Sequence, residues 1–138
     1  MERTESEIGE AFTELCIDYA KKDLLILYEN QIQRLDFAKK KKTKLITMPE
    51  STKRMAISPD GKTLAVALPA TILFYDLSNL QEGRSSRAKP ILEVSGNIQR
   101  GPMLFSQNGK WFVGVGGGNS QRGYLVDLEK GSAVNLWP

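Results

Sequence analysis

A forty-residue step runs through this chain, and it limits the fold more than any other feature of the sequence. Ile17-Asp18-Tyr19-Ala20-Lys21-Lys22-Asp23-Leu24, followed by Gln31-Ile32-Gln33-Arg34-Leu35-Asp36-Phe37, aligns without a gap on a second segment. That segment reads Ile57-Ser58-Pro59-Asp60-Gly61-Lys62-Thr63-Leu64, then Thr71-Ile72-Leu73-Phe74-Tyr75-Asp76-Leu77, so Ile17 to Ile57 and Asp36 to Asp76 are both steps of 40. A third segment, Phe105-Ser106-Gln107-Asn108-Gly109-Lys110-Trp111-Phe112 and then Gly123-Tyr124-Leu125-Val126-Asp127-Leu128, follows at 48 from Ser58 to Ser106 and 51 from Asp76 to Asp127. The extra residues fall in Ser78 to Pro90 and Gly116 to Gly123, polar and turn-rich stretches where insertion costs little. Self-similarity at this period is the mark of a repeat architecture.

Each repeat reads as four short strands, a to d. In the second, Lys53 to Ile57 is a, Thr63 to Ala67 is b, Thr71 to Asp76 is c and Ile91 to Val94 is d. Ser58-Pro59-Asp60-Gly61 is a turn, because proline presets φ and Asp and Gly accept the positions after it. In the first repeat b and c are Leu24 to Tyr28 and Ile32 to Leu35, with Glu29-Asn30 as their turn and Leu45 to Met48 as d. In the third, Trp111 to Val115 and Tyr124 to Val126 are b and c, and Ala133 to Trp137 closes it. Helical spacing occurs only over Glu5 to Tyr19, where Ile8, Phe12 and Leu15 are four and three apart. The expected core is Ile57, Leu64, Val66, Ile72, Phe74, Phe105, Phe112, Val113 and Leu125.

Ser58-Pro59-Asp60-Gly61-Lys62, then Leu64-Ala65-Val66-Ala67 and Ile72-Leu73-Phe74-Tyr75-Asp76-Leu77, resembles the WD-repeat β-propeller family, whose repeats have four strands per blade. The likeness covers about residues 13 to 138, and the pattern is a degenerate one. Leu35-Asp36, Tyr75-Asp76 and Val126-Asp127 stand where that family has its Trp-Asp pair, and without histidine its Gly-His signature is absent. The resemblance implies an all-β, propeller-like fold of about three four-stranded blades: residues 13–50, 51–95 and 96–138, after a helical or irregular lead-in over 1–12. Closed propellers use four to eight blades. Three would leave an open arc, so the chain is expected to be part of a larger propeller or to close by pairing with itself or another subunit.

Composition removes several chemistries. There is no histidine among the 138 residues, which excludes Ser-His and Cys-His catalysis and imidazole metal sites. Cys16 is the only cysteine, so no intrachain disulfide, thiolate zinc cluster or Cys-x-x-Cys pair can form. It is expected to be a buried small hydrophobe in a reducing, cytoplasmic or nuclear compartment. The longest nearly apolar stretch, Leu64 to Tyr75, is broken by Pro69 and far short of the ~20 residues of a spanning helix. Met1-Glu2-Arg3-Thr4-Glu5 is polar, unlike a signal peptide.

The net charge of +3 is local: without Lys39, Lys40, Lys41, Lys42 and Lys44 the balance is 14 basic against 16 acidic residues, or −2. This run is expected on a hairpin tip between strands c and d of the first repeat. It is either a solvated guard against wrong edge pairing or a contact for the phosphates of RNA or anionic lipid. Gly114-Val115-Gly116-Gly117-Gly118 leads into another strand with no Gly-Lys-Ser/Thr after it, and reads as a flexible turn, not a phosphate loop. Asp36, Asp76 and Asp127 end their strands and are expected to accept turn N–H bonds. Trp111 and Trp137 read as blade-packing aromatics. Gln99-Arg100-Gly101 and Gln121-Arg122-Gly123 each hold one arginine, one short of the Arg-Arg-Gly motif of phosphoinositide-binding propellers. The expectation is a non-enzymatic protein-interaction scaffold with no cofactor and no metal; the alternative is an accessory subunit that binds RNA or anionic lipid through Lys39 to Lys44.

Overall fold

Ser58 and Ser106 start the same turn twice over, and it shows how the repeat is built. The Ser58 hydroxyl donates to Asp60 Oδ1 at 2.6 Å and accepts from Thr63 N at 3.0 Å; Ser106 does the same with Asn108 and Trp111, at 2.6 and 3.0 Å. Gly61 and Gly109 follow with φ of +74° and +73°, the left-handed position that closes such hairpins. The structure, a computed structural model, describes residues 12–28, 30–48, 52, 54–80, 89–96, 98, 101–116 and 122–136.

Twelve strands follow in order: β1 (Phe12–Asp18), β2 (Asp23–Tyr28), β3 (Gln31–Asp36), β4 (Lys41–Thr47), β5 (Arg54–Ile57), β6 (Thr63–Ala67), β7 (Thr71–Asp76), β8 (Leu92–Ser95), β9 (Met103–Phe105), β10 (Trp111–Val115), β11 (Gly123–Asp127) and β12 (Ser132–Asn135). They form three antiparallel sheets in sequence order, β1–β4, β5–β8 and β9–β12. The fold is all-β and propeller-like, with three four-stranded blades. One 3₁₀ turn, Leu77–Asn79, is capped by Asp76. The first strands of successive blades pack on each other, β1 on β5 and β5 on β9.

Side chains alternate across each sheet, so every blade has two faces. On blade 2, Met55, Leu64, Val66, Leu73 and Tyr75 pack on Leu25, Leu27, Ile32 and Ile46 of blade 1. Its other face, Ala65, Ala67, Ile72, Phe74 and Val94, packs on Met103, Phe112, Tyr124 and Val126 of blade 3. The core therefore lies between blades.

Four expectations change. The stretch from Phe12 to Asp18 is strand, not helix, because it pairs along β2 (Cys16 opposite Leu25, Ile17 opposite Leu24), and a ladder plus burial outweighs a weak spacing signal; residues 1–11 lie outside those described. Strand d of the first blade begins at Lys41 instead of Leu45, with a bulge at Leu45. Val113 and Leu125 are only half-buried, since they point away from blade 2. Ile57 and Phe105 are partly buried, each packed on a core edge.

Gly61 joins blade 1 to blade 2. A Cβ there would lie 2.7 Å from Asp18 Oδ1. Gly131 shares the backbone, φ +69°, but its added Cβ would meet nothing nearer than Leu92 Cδ1 at 3.8 Å. Urea unfolding should show Gly61→Ala costing about 2 kcal/mol and Gly131→Ala about 1 kcal/mol. Equal losses would mean that the turn yields without disturbing Asp18.

Candidate interaction surfaces

The lysine run is built differently from a loop tip. Lys39 and Lys40 occupy the turn, where Lys40 takes φ +54° and Lys39 N donates to Asp36 Oδ1 at 3.0 Å. Lys41, Lys42 and Lys44 stand in β4, the outer edge of its sheet, opposite Asp36, Leu35 and Gln33. All five are exposed. A backbone ladder is indifferent to side-chain charge when those side chains reach water, so the strand starts inside the run.

The aspartates that end strand c hold turns. Asp76 Oδ1 accepts from Ser78 N at 3.0 Å, and Asp127 Oδ1 from Glu129 N and Lys130 N, both at 3.0 Å. Asp60, on the turn before β6, is held below its ordinary value chiefly by the Ser58 hydroxyl. With its value lowered in the fold, the stability it contributes is present above the usual carboxylate range and lost as pH falls through the lowered value.

Sequence reasoning missed two charged centres. Asp18 is fully buried, and Arg34 lies 3.0 Å from it and 2.9 Å from Asp23. Asp18 falls where the later repeats have Ser58 and Ser106, and that break in the repeat is the signal that could have found it. Arg54 on β5 reaches Glu14 of blade 1 at 3.0 Å and the Gly101 carbonyl before β9 at 2.7 Å, tying three blades together. Beside it, Cys16 Sγ donates to Met55 O at 3.6 Å, and burial pushes its thiol up to about 12. The thiol stays protonated and unreactive near neutrality.

Exposed apolar residues are concentrated at the ends of the arc. Leu15, Ile17 and Tyr28 lie on the face of blade 1 turned away from blade 2. Leu104, Trp111 and Val134 lie on the outward face of blade 3. There one row crosses the whole sheet: Leu104 opposite Val113, Val113 opposite Leu125, Leu125 opposite Val134. Its ends, Leu104 and Val134, are 64% and 58% exposed. Among the described residues, the strands of blade 2, covered on both sides, carry no large exposed hydrophobic, while Ile91, just before β8, is 58% exposed. Trp111 thus sits on an open face, not in a blade-to-blade contact; Trp137 lies outside the described residues.

An open cleft of about 310 Å³ separates β8 from the β11–β12 hairpin, with Glu93, Ser95, Tyr124 and Asn135 on its walls. Among the described residues no three His, Cys, Asp or Glu side chains gather as a metal site, and no helix is long and apolar enough to cross a membrane. The glycine run starts inside β10, where Gly114 and Val115 are paired strand residues, and β11 comes after it; Gly117, Gly118 and Gln121 lie outside the described residues, as do Gln99 and Arg100.

No family model matches the sequence, and no curated protein matches it. Solved structures do match the fold. Kuenenia stuttgartiensis hydrazine synthase superposes with a TM-score of 0.71 at 17% identity, over 90% of this chain and 34% of that one. U3-55K superposes with a TM-score of 0.70 at 16% identity, over 93% of this chain and 39% of that one. The chain spans well under half the length of either. At such identities the likeness shows the fold alone.

Proposed function

We propose that this chain is a non-enzymatic protein-interaction scaffold built on WD-like blades, working in a reducing, cytoplasmic or nuclear compartment. One observation carries the reading: large exposed apolar side chains sit on the outward faces of blades 1 and 3 and are missing from the strands of blade 2 among the described residues. Contiguous apolar surface of this kind marks a place where another protein binds. The WD-like assignment is supported by Asp36, Asp76 and Asp127, which end strand c in each blade. A photo-reactive residue in place of Val134 is expected to crosslink to a protein in extract, independently of salt, and Leu104→Glu is expected to abolish the crosslink. A crosslink unchanged by Leu104→Glu, or none at all, would overturn the reading.

The second reading, contact with RNA or anionic lipid phosphates, is favoured by the placement of Lys41, Lys42 and Lys44 along one edge strand beside Lys39 and Lys40. Changing Lys39, Lys40, Lys41 and Lys42 together to Gln should shift stability by less than about 0.5 kcal/mol per site. If the edge contacts phosphates, the change weakens binding to single-stranded RNA or anionic vesicles tenfold or more, and lowers the salt slope by roughly 0.7–0.9 per lost contact. The expected result is an edge guard: neither chain shows salt-dependent binding, and the variant aggregates more readily.

A further inference from the structure

We infer that the cleft between β8 and the β11–β12 hairpin is a docking slot for an extended segment of another protein, which adds as a strand along β8 and sends an asparagine or glutamine side chain to Tyr124 and Asn135. The inference rests on the reading of the chain as a protein-interaction scaffold and adds a second site, set apart from the outward faces. Both walls lie at the joint of blades 2 and 3, so the slot does not depend on what precedes blade 1 or follows blade 3.

Its first ground is a hydroxyl without a partner. Tyr124 on β11 is only 7% exposed, and among the described residues nothing hydrogen-bonds its hydroxyl. The tip of its ring packs on the Gly96 backbone: a Cβ there would lie 2.8 Å from Tyr124 Cζ, the carbon that carries the hydroxyl. The hydroxyl is thus held at the β8 wall of the cleft. A step of 51 back from Tyr124 falls on Leu73, which packs blade 2 on blade 1 without a polar side-chain atom. Joining two blades therefore needs no hydroxyl at this position. A buried polar group left unpaired costs stability, so one kept where leucine suffices points to a bound partner.

The second ground is a free backbone edge. β8 is the outermost strand of blade 2 and pairs only with β7. Gly96 N donates to Ala70 O at 3.0 Å, and the bonds alternate along the ladder, so Val94 and Leu92 also turn their N–H and C=O to β7. Those of Glu93 and Ser95 point off the edge, where an added strand can bond them. The opposite wall stays open because Gly131 and Ala133 are small. Asn135 stands opposite Tyr124 in the β11–β12 ladder and shares its face. The Glu93 side chain lies on the other face of its sheet, with Leu73, its partner in the ladder, which packs on blade 1. Tyr124, Ala133 and Asn135 carry no charge, so a charged side chain would enter the slot without a counter-charge. A carboxamide both donates and accepts, and so matches the Tyr124 hydroxyl and the Asn135 amide together.

Short random peptides selected on the immobilised 138-residue chain should be enriched in Asn or Gln, and fluorescence anisotropy should read their affinity. Tyr124→Phe removes the oxygen alone: the enriched peptides should bind it about tenfold more weakly, while its melting temperature stays level or rises. Ala133→Trp fills the slot from an exposed position and should abolish binding with the fold kept. Methylating the backbone nitrogens of the peptide that face β8 should abolish it too. No enrichment, charged residues enriched in place of Asn and Gln, equal binding by the parent and both variants, or a melting temperature lowered by Tyr124→Phe would overturn the inference. Leu104→Glu should leave peptide binding untouched; a loss there would make the slot part of the outward face and overturn it as a separate site. Peptide binding kept while the Val134 crosslink fails overturns only the reading of the outward faces; the crosslink kept with no peptide enriched overturns only the slot.

Discussion

Phe74→Ala is expected to lower unfolding stability by about 3–5 kcal/mol, the usual loss for a large aromatic truncated in a packed core. Phe74 is fully buried in the seam between blades 2 and 3, with its ring edge-on to Phe112 at a centroid distance of 5.0 Å. Phe112 in turn meets Phe105 at 5.2 Å, so the truncation opens a cavity under an aromatic cluster that the blade 3 strands cannot easily collapse onto. The joint between blades 1 and 2 is formed by other side chains and should survive. Urea unfolding should report the loss, and hydrogen exchange should show the amides of β10 and β11 deprotected before those of β2 and β3. A melting temperature within a degree or two of the parent would mean that the seam is not closed as described.

Arg34→Met is expected to cost a similar amount, about 3–5 kcal/mol, because it leaves a buried carboxylate without its counter-charge. Methionine keeps much of the aliphatic bulk, so lost packing contributes little. What disappears is the guanidinium between Asp18, which is fully buried, and Asp23, which pairs with it across the β1–β2 ladder. Asp18 would keep the Lys21 N–H at 3.1 Å but would face a second carboxylate with nothing between them. Adding Asp18→Asn to Arg34→Met should recover most of the loss, since the unpaired charge goes with it. A double-mutant cycle with no coupling between the two positions would show that the pair does not hold the blade 1 turn.

Phe74 lies in a seam between blades and Arg34 joins three strands of one blade, and contacts between elements are where sequence and structure divide. The forty-residue step, the Ser-x-Asp/Asn-Gly turns and the runs at Thr63–Ala67, Thr71–Asp76 and Trp111–Val115 were legible because their causes are local. A glycine at positive φ, a serine hydroxyl bonding within its own turn and a β-branched run act over fewer than ten residues. The same local logic misjudged Phe12–Asp18, whose strand state comes from pairing with β2, and Lys41, whose place in β4 comes from pairing with β3.

The candidate surface was the least legible part. Val113, Leu125, Phe112 and Val126 all read as apolar strand residues, and their sequence says nothing about which face a neighbouring blade covers. Alternation assigns residues to two faces. Only the stacking order of the blades decides that Phe112 is core and that Leu104, Val113, Leu125 and Val134 remain an open row. The sequence by itself determined the repeat, the turns, the strand content and the absence of histidine chemistry, since each depends on residues close in the chain or on composition. The tertiary structure alone decided which apolar faces are covered, where Arg34 and Arg54 find their partners and how the lysines are presented, because burial and charge pairing depend on groups brought together from different strands and blades.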